Sequence, residues 1–309
     1  MSNLKENQKR ITQLLEKLSA GEGIRATNLE GVKLLRADKA MPRSPVLYEP
    51  SIVIVGRGRK RGYIGSTCYV YDPHNYLVLS VPMPFECETE VGPDGPLLGV
   101  SVRVDVSVVG ELLLKMKRRP VVAPDDGPIG ISAVPLDEKM TESVVRLLEC
   151  MQSADDAQIL GPQIMREITY YVLCGPHGAA LQALITMNSN LGQIQRVLHR
   201  MQTRLEDQWD IASMADEAGM SQSSFHHIFK SITATSPLQY LKTMRLHKAK
   251  LLMVHEGLSA GEAAEQVGYE SPSQFSREFK RFFGASPVVE AAAARAKLGI
   301  PELEMAISH

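Results

Sequence analysis

Cysteine is scarce, and its few positions show no metal-site pattern. Four cysteines occur in 309 residues, with no C-x-x-C pair and no neighbouring metal-ligand partners. We therefore interpret them as free thiols of a reducing compartment. A redox role for Cys68 or Cys87 is the less favoured alternative, since such residues are usually small buried hydrophobes. The set is Cys68, Cys87, Cys150 and Cys174.

Long apolar runs are also missing. No stretch approaches the roughly 20 residues that a membrane helix requires. The first residues, MSNLKENQKRITQLLEKL, are charged and helical rather than signal-like. We expect a cytoplasmic protein with no membrane partner. The net charge of −1 says nothing about partners, because it averages over domains that can differ in sign.

Between about Arg25 and Ser107 the pattern is typical of short β-strands. Segments such as SIVIV, TCYVY, NYLVLSV and LLGVSVRVDVSV are separated by Gly, Pro or Asp. From Val100 to Val106 the valines share one face, as in a strand with one side on a core. The zone therefore predicts a small antiparallel barrel or sandwich. We expect the basic segment GRGRKRG, 56–62, to be an exposed hairpin loop, and a solvated turn more than an anion-binding loop.

From about 137 to 207 the apolar period becomes helical. TESVVRLLECM has an apolar stripe, and GPQIMREITYYVLCG begins near Pro162 and stops at Gly175. Such stripes are most often intramolecular core, and self-association is the alternative. Residues 188–207 are expected to form a largely polar helix or linker.

The most informative feature is a degenerate duplication in the C-terminal third. MADEAGMSQSSFHHIFKSITATSP, 214–237, is echoed by AAEQVGYESPSQFSREFKRFFGASP, 263–287. In each copy an alanine-rich run ends at a glycine. A turn and a second predicted helix follow, and the copy ends with Ser-Pro. Helix, glycine turn, helix is the outline of a helix-turn-helix, which places its second helix in the DNA major groove. Two copies in tandem make transcription control the first hypothesis.

Helical periodicity predicts the faces of the first copy. Asp210 and Ser221 are expected N-caps, and Gly219 is expected to end the first helix. The apolar residues of the second helix that share the inward face are Phe225, Ile228 and Phe229. This leaves Ser223, His226, His227 and Lys230 facing outward.

The second copy repeats this arrangement with one extra residue in the turn. Ser259 and Ser271 are the expected N-caps, with Pro272 at the first helical position. The aromatic residues expected to face inward are Phe275, Phe279 and Phe282. The outward set is Pro272, Ser273, Ser276, Arg277 and Lys280, with Gln274 at its edge.

The connector between the copies, 237–255, is predicted to be one uninterrupted helix capped by Ser236. Its length of about 28 Å is close to the roughly 34 Å between successive major-groove faces. It would therefore hold two recognition helices about one DNA turn apart. No Asp or Glu occurs from Ala218 to His255, which favours phosphate contacts over a merely solvated face. The cations of that run are Lys230, Lys242, Arg245, Lys248 and Lys250.

These C-terminal hundred residues are similar to the DNA-binding domain of the AraC/XylS family of bacterial transcription regulators. The resemblance is carried by IASMADEAGMSQSSFHHIFKSITATSPLQYL (211–241), the connector MRLHKAKLLM and GEAAEQVGYESPSQFSREFKRFFGASP (261–287). The N-terminal zone resembles, less strongly, the cupin-like sensory domain of a family subgroup through SPVLYEPSIVIVGRGRKRGYIG. The family implies seven helices in the DNA-binding domain, two recognition helices, and a sensor domain that binds an effector or mediates dimerisation.

The resemblance also implies roles for individual residues, by position relative to the packed aromatic. Arg277 is the strongest of them, because a guanidinium can bond both acceptors on the major-groove edge of guanine. The implied base-reading residues are Ser223, His226, His227, Ser273, Gln274, Ser276 and Arg277. The implied phosphate contacts are Ser221, Lys230, Ser271 and Lys280.

The chain departs from metal-binding cupins, which need an H-x-H pair, a glutamate and a later histidine. The strand zone offers one lone histidine, His74, so we expect no metal, no cofactor and no catalytic residues. The effector site stays unassigned. A metal-dependent barrel enzyme with a DNA-binding tail and a tandem helix pair that docks protein are the alternative functions. The aromatics that either line an effector pocket or form plain core are Tyr48, Tyr69, Tyr71 and Phe85.

The expected fold class is α+β, in three parts. A cupin-like antiparallel β-barrel with an N-terminal helix occupies 1–136, and a helical linker or dimerisation segment occupies 137–207. An all-α AraC-type DNA-binding domain occupies 208–309, with helix-turn-helix motifs at about 211–231 and 260–282. The expected partners are double-stranded promoter DNA, a small-molecule effector, RNA polymerase and a second copy of the chain. Family tendency favours activation.

Overall fold

The computed structural model describes residues 2–117, 130–176, 178–183, 185 and 190–298. Helix α1 (Ser2–Leu18) precedes a strand-rich part that extends to Pro135. The strands are β1 (Gly23–Ala26), β2 (Val32–Ala37), β3 (Met41–Tyr48), β4 (Ser51–Arg57), β5 (Arg59–Ile64), β6 (Thr67–Tyr71), β7 (Asn75–Leu79), β8 (Met83–Glu90), β9 (Leu97–Arg103) and β10 (Ile131–Pro135), with helix α2 (Val106–Lys115) between the last two.

The strands form two antiparallel sheets, as the alternation predicts. Their orders are β1-β2-β9-β4-β7-β10 and β3-β8-β5-β6. Helix α1 packs directly on β4, because a Cβ at Gly56 would lie 2.7 Å from a methyl carbon of Leu15. That close approach explains why the middle of β4 is buried on both faces.

The prediction of an exposed hairpin loop at 56–62 is wrong. β4 and β5 belong to different sheets, and Gly58 between them has a φ of +84°, so the segment is a corner between sheets. Its cations are engaged within the fold, which argues against an anion-binding loop. Arg57 pairs with Glu16, Arg59 with Asp72, and Arg61 with Glu90, while Lys60 donates to Thr89.

The strand predicted through Val106 ends earlier. β9 stops at Arg103, and the side chain of Asp105 accepts a hydrogen bond from Ser107 N at 2.8 Å, which caps α2. Val106 therefore begins a helix and is 39% exposed. Strand β10 pairs with β7, and the sequence pattern does not indicate it.

The middle of the chain is helical, as expected. Helix α5 (Gly161–Cys174) has Pro162 in its first turn and Gly175 at its C-cap. Its apolar stripe and that of α3 (Glu138–Cys150) are buried. The segment expected to be a largely polar helix or linker does contain a helix, α7 (Asn190–Thr203), but this helix is amphipathic, since Leu191, Ile194 and Val197 are buried. These helices are α3 (Glu138–Cys150), α4 (Ala154–Ile159), α5 (Gly161–Cys174), α6 (Gly178–Ala183) and α7 (Asn190–Thr203).

The C-terminal part is entirely helical within the described residues. Its elements are α8 (Ile211–Ala218), α9 (Gln222–Thr233), α10 (Pro237–Leu251), a π-helical turn (Leu252–Glu256), α11 (Ala260–Gln266), α12 (Pro272–Phe283) and α13 (Pro287–Leu298). Helix α7 packs on α8 and α9. The part of the chain that the structure describes contains no helix long and apolar enough to cross a membrane. All four cysteines are free thiols, as expected, with Cys68 and Cys174 exposed and Cys87 and Cys150 buried.

Candidate nucleic-acid interface

The first candidate recognition helix is α9, which follows a tight turn after α8. Gly219 has a φ of +67°, the left-handed conformation that ends α8, and Ser221 Oγ accepts a hydrogen bond from Ser224 N at 3.3 Å. Asp210 caps α8 as predicted. Phe225 and Phe229 are buried, so the opposite face is free for a partner. The predicted site residues are all exposed, namely Ser221, Ser223, His226, His227 and Lys230.

The second candidate recognition helix is α12, which is built in the same way. Ser271 Oγ accepts from Gln274 N at 3.3 Å, and Pro272 takes the first helical position. Phe275 and Phe279 are buried. Ser271 and Ser276 are half-buried and present less surface than the sequence predicts. The predicted outward residues that are exposed are Pro272, Ser273, Gln274, Arg277 and Lys280.

The two recognition helices present equivalent faces. When Phe225 is aligned with Phe275, Ser223 matches Ser273 and Lys230 matches Lys280. In both copies a buried aromatic stripe fixes the helix, and the polar residues that it turns outward lie at the same helical positions. The copies differ at the exposed position of Arg277, where the first has His227.

The connector differs from the prediction at both ends. Helix α10 ends at Leu251, and the next five residues form a π-helical turn, so the expected single helix to His255 is wrong in its last turn. The side chain of Ser236 makes no capping hydrogen bond, although Pro237 begins the helix. The α-helical part is 15 residues long, or about 22 Å at the usual rise.

The buried residues of α10 belong to two different hydrophobic cores. Tyr240 and Met244 belong to the core that the first helix-turn-helix shares with the sheets, whereas Leu246 and Ala249 belong to a separate core around α11, α12 and α13. The Tyr240 hydroxyl donates to the buried carbonyl of Pro82 at 2.9 Å. The first helix-turn-helix is therefore anchored to the sheet domain, and α10 carries the second.

Glu278 of α12 fixes the second recognition helix to the connector, and sequence reasoning missed it. Its carboxylate lies 2.6 Å from Lys242 Nζ of α10 and accepts from the Tyr269 hydroxyl at 2.9 Å and from Gln274 Nε2 at 3.3 Å. Burial acts to raise the pKa of Glu278, but these hydrogen bonds outweigh it and lower the pKa. An exposed base-reading candidate, Gln274, is thus oriented by a partly buried carboxylate.

The segment 218–255, which contains no Asp or Glu, has fewer cationic side chains available for DNA than its sequence suggests. Arg245 donates to the carbonyls of Leu205 and Asp207, both at 2.9 Å. Lys242 pairs with Glu278, and Lys250 pairs with Glu290 of α13. Lys230 and Lys248 remain exposed, so phosphate contact from this run rests on them.

The second core contains a buried histidine. His247 of α10 lies edge-on to Phe282 and Phe283, with ring centroids 5.4 and 5.3 Å away, and its Nε2 has no hydrogen-bond partner among the described residues. Burial, followed by the positive charge of Lys250, lowers the pKa of His247 to about 3. The ring is therefore neutral when the second helix-turn-helix is folded near neutral pH.

The aromatics considered for an effector site lie in the sheet domain, and three of them are linked by contacts through Tyr48. Tyr48 packs edge-on against Phe85 at 5.0 Å, and its hydroxyl lies 3.3 Å from the hydroxyl of buried Tyr71. Tyr69 is also buried. This packing is typical of core. His74 is exposed in the turn after β6, and no group of three potential metal ligands occurs among the described residues.

Two family models match the chain. One, described as "AraC-type transcriptional regulator N-terminus", covers residues 28–180, and a "Helix-turn-helix domain" covers residues 214–289. The HTH-type transcriptional regulator AlkR of Acinetobacter baylyi is 42% identical over 82 residues, which are 26% of this chain and 27% of AlkR. ExsA of Pseudomonas aeruginosa is 24% identical over 192 residues, which are 62% of this chain and 66% of ExsA. The aligned regions therefore span about a quarter of AlkR and just under two thirds of ExsA.

The fold is similar to that of solved structures of ToxT from Vibrio cholerae. One of them, with an unsaturated fatty acid bound, has a TM-score of 0.60 and 12% identity. The match covers 84% of this chain and 94% of the ToxT chain. The arrangement of antiparallel sheets followed by tandem helix-turn-helix motifs is thus shared over most of both chains, which confirms the predicted fold class.

Proposed function

The chain belongs to the AraC/XylS family of transcription regulators, and from this premise we propose that it reads two successive major-groove segments of promoter DNA. The proposal rests on helices α9 and α12. Both are capped, their aromatic faces are buried, and their polar faces are exposed at equivalent positions. Because the open residues differ between the copies, the expected DNA site is asymmetric.

In this proposal, exposed polar residues of the two helices contact the DNA bases. We propose Ser223, His226 and His227 in α9, and Ser273, Gln274, Ser276 and Arg277 in α12, with Ser276 the least accessible of them. Phosphates would be contacted by Lys230 and Lys280 and by the caps Ser221 and Ser271. Arg277 has an exposed side chain with no ion pair among the described residues, which leaves its guanidinium available for a guanine.

The test is binding of the full chain to the DNA upstream of its own gene, measured by fluorescence anisotropy at several salt concentrations. Arg277→Ala should weaken binding to the preferred sequence by about 5- to 150-fold and relax the preference at one base position. Arg103→Ala is the matched control, because this arginine is exposed and pairs with Glu30 on the sheet domain. Unchanged affinity and base preference in Arg277→Ala at every salt concentration would show that α12 is not a recognition helix.

The phosphate assignments have a different signature in the same assay. Lys230→Ala should weaken all DNA sequences alike and reduce the slope of the salt dependence by about one. Absence of saturable binding even at low salt would contradict the DNA-binding proposal and favour tandem helices that dock protein.

We also propose that the N-terminal domain controls DNA binding through a small effector or through dimerisation, with activation by contact with RNA polymerase. The fatty acid in the ToxT structure supports effector control by analogy of fold. Exposed Ile159 of α4, Tyr170 of α5 and Leu160 between the two helices support a homodimer through this surface. Sedimentation over a concentration series tests it, since Ile159→Asp should shift the chain toward monomer, and unchanged sedimentation would contradict this interface.

The boundary of the DNA-binding domain is part of the proposal. Packing of α7 on α8 and α9 supports a start at α7 rather than at 208, and α7 to α13 would then supply the seven helices that the family implies. The matched family models describe transcription regulators, so the alternative of a metal-dependent enzyme gains no support from them. A stoichiometric transition metal in the purified protein would revive that alternative.

A further inference from the structure

A small cavity lies where the N-terminal helix meets the edge of the larger sheet. It has a volume of about 270 Å³ and lies between the end of α1, the β1–β2 pair and the end of α3. Its apolar lining comes from Leu18, Leu34 and Met151, and its polar lining includes Ser19, Arg25 and Arg36. The volume equals that of about nine water molecules in the liquid, which is room for a small organic molecule.

Two guanidinium groups border this cavity. The register pairs Gly23 with Arg36 and Arg25 with Leu34, so both arginines lie on one face of the β1–β2 pair. Arg25 is exposed and forms no ion pair among the described residues. The cavity thus holds one arginine whose charge is not neutralised by the protein.

Arg36 is held in place by partners on either side of it. Its Nε donates to Asp38 at 2.7 Å, and its Nη1 donates to the carbonyl of Ser19 at 3.2 Å. The second bond ties β2 to the end of α1. The remaining N–H groups of Arg36 are not used by these two partners, and an oxyanion matches the fork that they form.

Ser19 supplies an independent sign of a ligand. It is only 5% exposed, and its Oγ is buried with no hydrogen-bond partner in the described part of the chain. An unpaired buried hydroxyl is costly, because it gives up its bonds to water without replacement. A polar atom of a bound molecule would satisfy it.

We propose that this cavity binds a small molecule with one oxyanion group, a carboxylate or a phosphate ester, and a short apolar part. Arg25 and Arg36 would hold the oxyanion, Ser19 would complete its hydrogen bonds, and Leu34 and Met151 would cover the apolar part. Because α1 and α3 both end at the cavity, its ligand would tie these helices to the sheet. Ligand binding at this cavity is measured without DNA. A failure of this proposal is therefore distinguishable from a failure of the DNA-binding proposal.

Isothermal titration calorimetry of the full chain tests the site with sodium hexanoate, hexyl phosphate and uncharged 1-hexanol. At least one of the two anions should bind with one-to-one stoichiometry, and hexanol should not bind. Binding of only one anion identifies that oxyanion as the ligand class. If neither anion binds with a Kd tighter than about 10 mM, or if hexanol binds as well as they do, the proposal is overturned.

Matched variants locate the binding. Arg25→Gln should weaken anion binding by about tenfold or more, since a hydrogen bond to a charged group is lost. Lys33→Gln removes a neighbouring exposed cation on the opposite face of β2 and should leave the affinity within about twofold. An affinity that is unchanged in Arg25→Gln, or equally reduced in Lys33→Gln, would overturn the proposal.

Ser19→Ala distinguishes a ligand-binding serine from a structural one. The variant should bind the anion several-fold more weakly while its thermal unfolding midpoint stays level or rises, because the unpaired buried hydroxyl is removed. Unchanged anion affinity would show that Ser19 is not part of the site and would overturn the three-residue assignment.

Discussion

Acidification should destabilise the second helix-turn-helix through His247. This side chain is 8% exposed and lies among Phe282 and Phe283, and Lys250 is the charged group that faces it. Burial and then Lys250 lower the pKa of His247 from 6.5 to about 3. The protonated ring is therefore strongly disfavoured in the folded state and free to form in the unfolded chain.

The sign and size of the effect follow from these two pKa values. Because the folded pKa is the lower one, the stability contributed by neutral His247 is present above pH 6.5 and is lost as the pH falls from 6.5 toward 3. Each unit of pH in that window is worth about 1.4 kcal/mol. At pH 4.5 the free energy of unfolding should therefore be lower by about 3 kcal/mol from this group alone.

Urea unfolding followed by circular dichroism at pH 7 and pH 4.5 measures this loss. His247→Leu removes the titrating ring and retains the Lys250–Glu290 pair, so its loss of stability on acidification should be smaller than that of the wild type by about 3 kcal/mol. His255→Leu changes an exposed histidine of the π-helical turn and should keep the pH dependence of the wild type. Equal pH dependence of wild type and His247→Leu refutes the reasoning.

Three further substitutions test the contacts that place the recognition helices. Tyr240→Phe leaves the buried carbonyl of Pro82 unpaired and should cost about 1–3 kcal/mol, measured as faster hydrogen exchange in α9 and α10; unchanged exchange would contradict the anchor. Glu278→Gln keeps the size of the side chain but removes the charge that faces Lys242, so DNA affinity should fall several-fold, and wild-type affinity would show that this network does not position α12. Gly268→Ala places a Cβ at a φ of +81° and 2.8 Å from a carbonyl oxygen, so it should destabilise the second helix-turn-helix by more than about 1 kcal/mol, and wild-type unfolding would contradict the tight turn.

The parts of the fold that the sequence predicts correctly depend on neighbours a few residues apart. A helix is capped by a side chain within three positions of its first turn, so Asp210, Ser221 and Ser271 are recognisable as caps from the sequence alone. The buried faces of α9 and α12 follow from the spacing of Phe225 and Phe275 relative to the next aromatic one turn later. Such short-range rules do not need the tertiary structure.

The parts that the sequence does not predict depend on distant neighbours. Glu278 lies 36 positions after Lys242, and no periodicity connects the two side chains that form the 2.6 Å pair. The corner at Gly58 is similar, because an alternating pattern identifies two strands but does not tell whether they pair with each other. Half-burial of Ser276 likewise does not follow from its position on α12.

The two helix-turn-helix motifs differ in attachment as well as in their exposed residues. The first shares a core with the sheets and is fixed by the Tyr240–Pro82 hydrogen bond, whereas the second has its own core. Close packing transmits a displacement most directly within a shared core. A change in the sheet domain should therefore reach α9 through the shared core, and α12 both through α10 and through its own contacts with β3. Because the two motifs are attached to the sheet domain in different ways, such a change should alter the spacing and orientation of the recognition helices instead of moving them as one body.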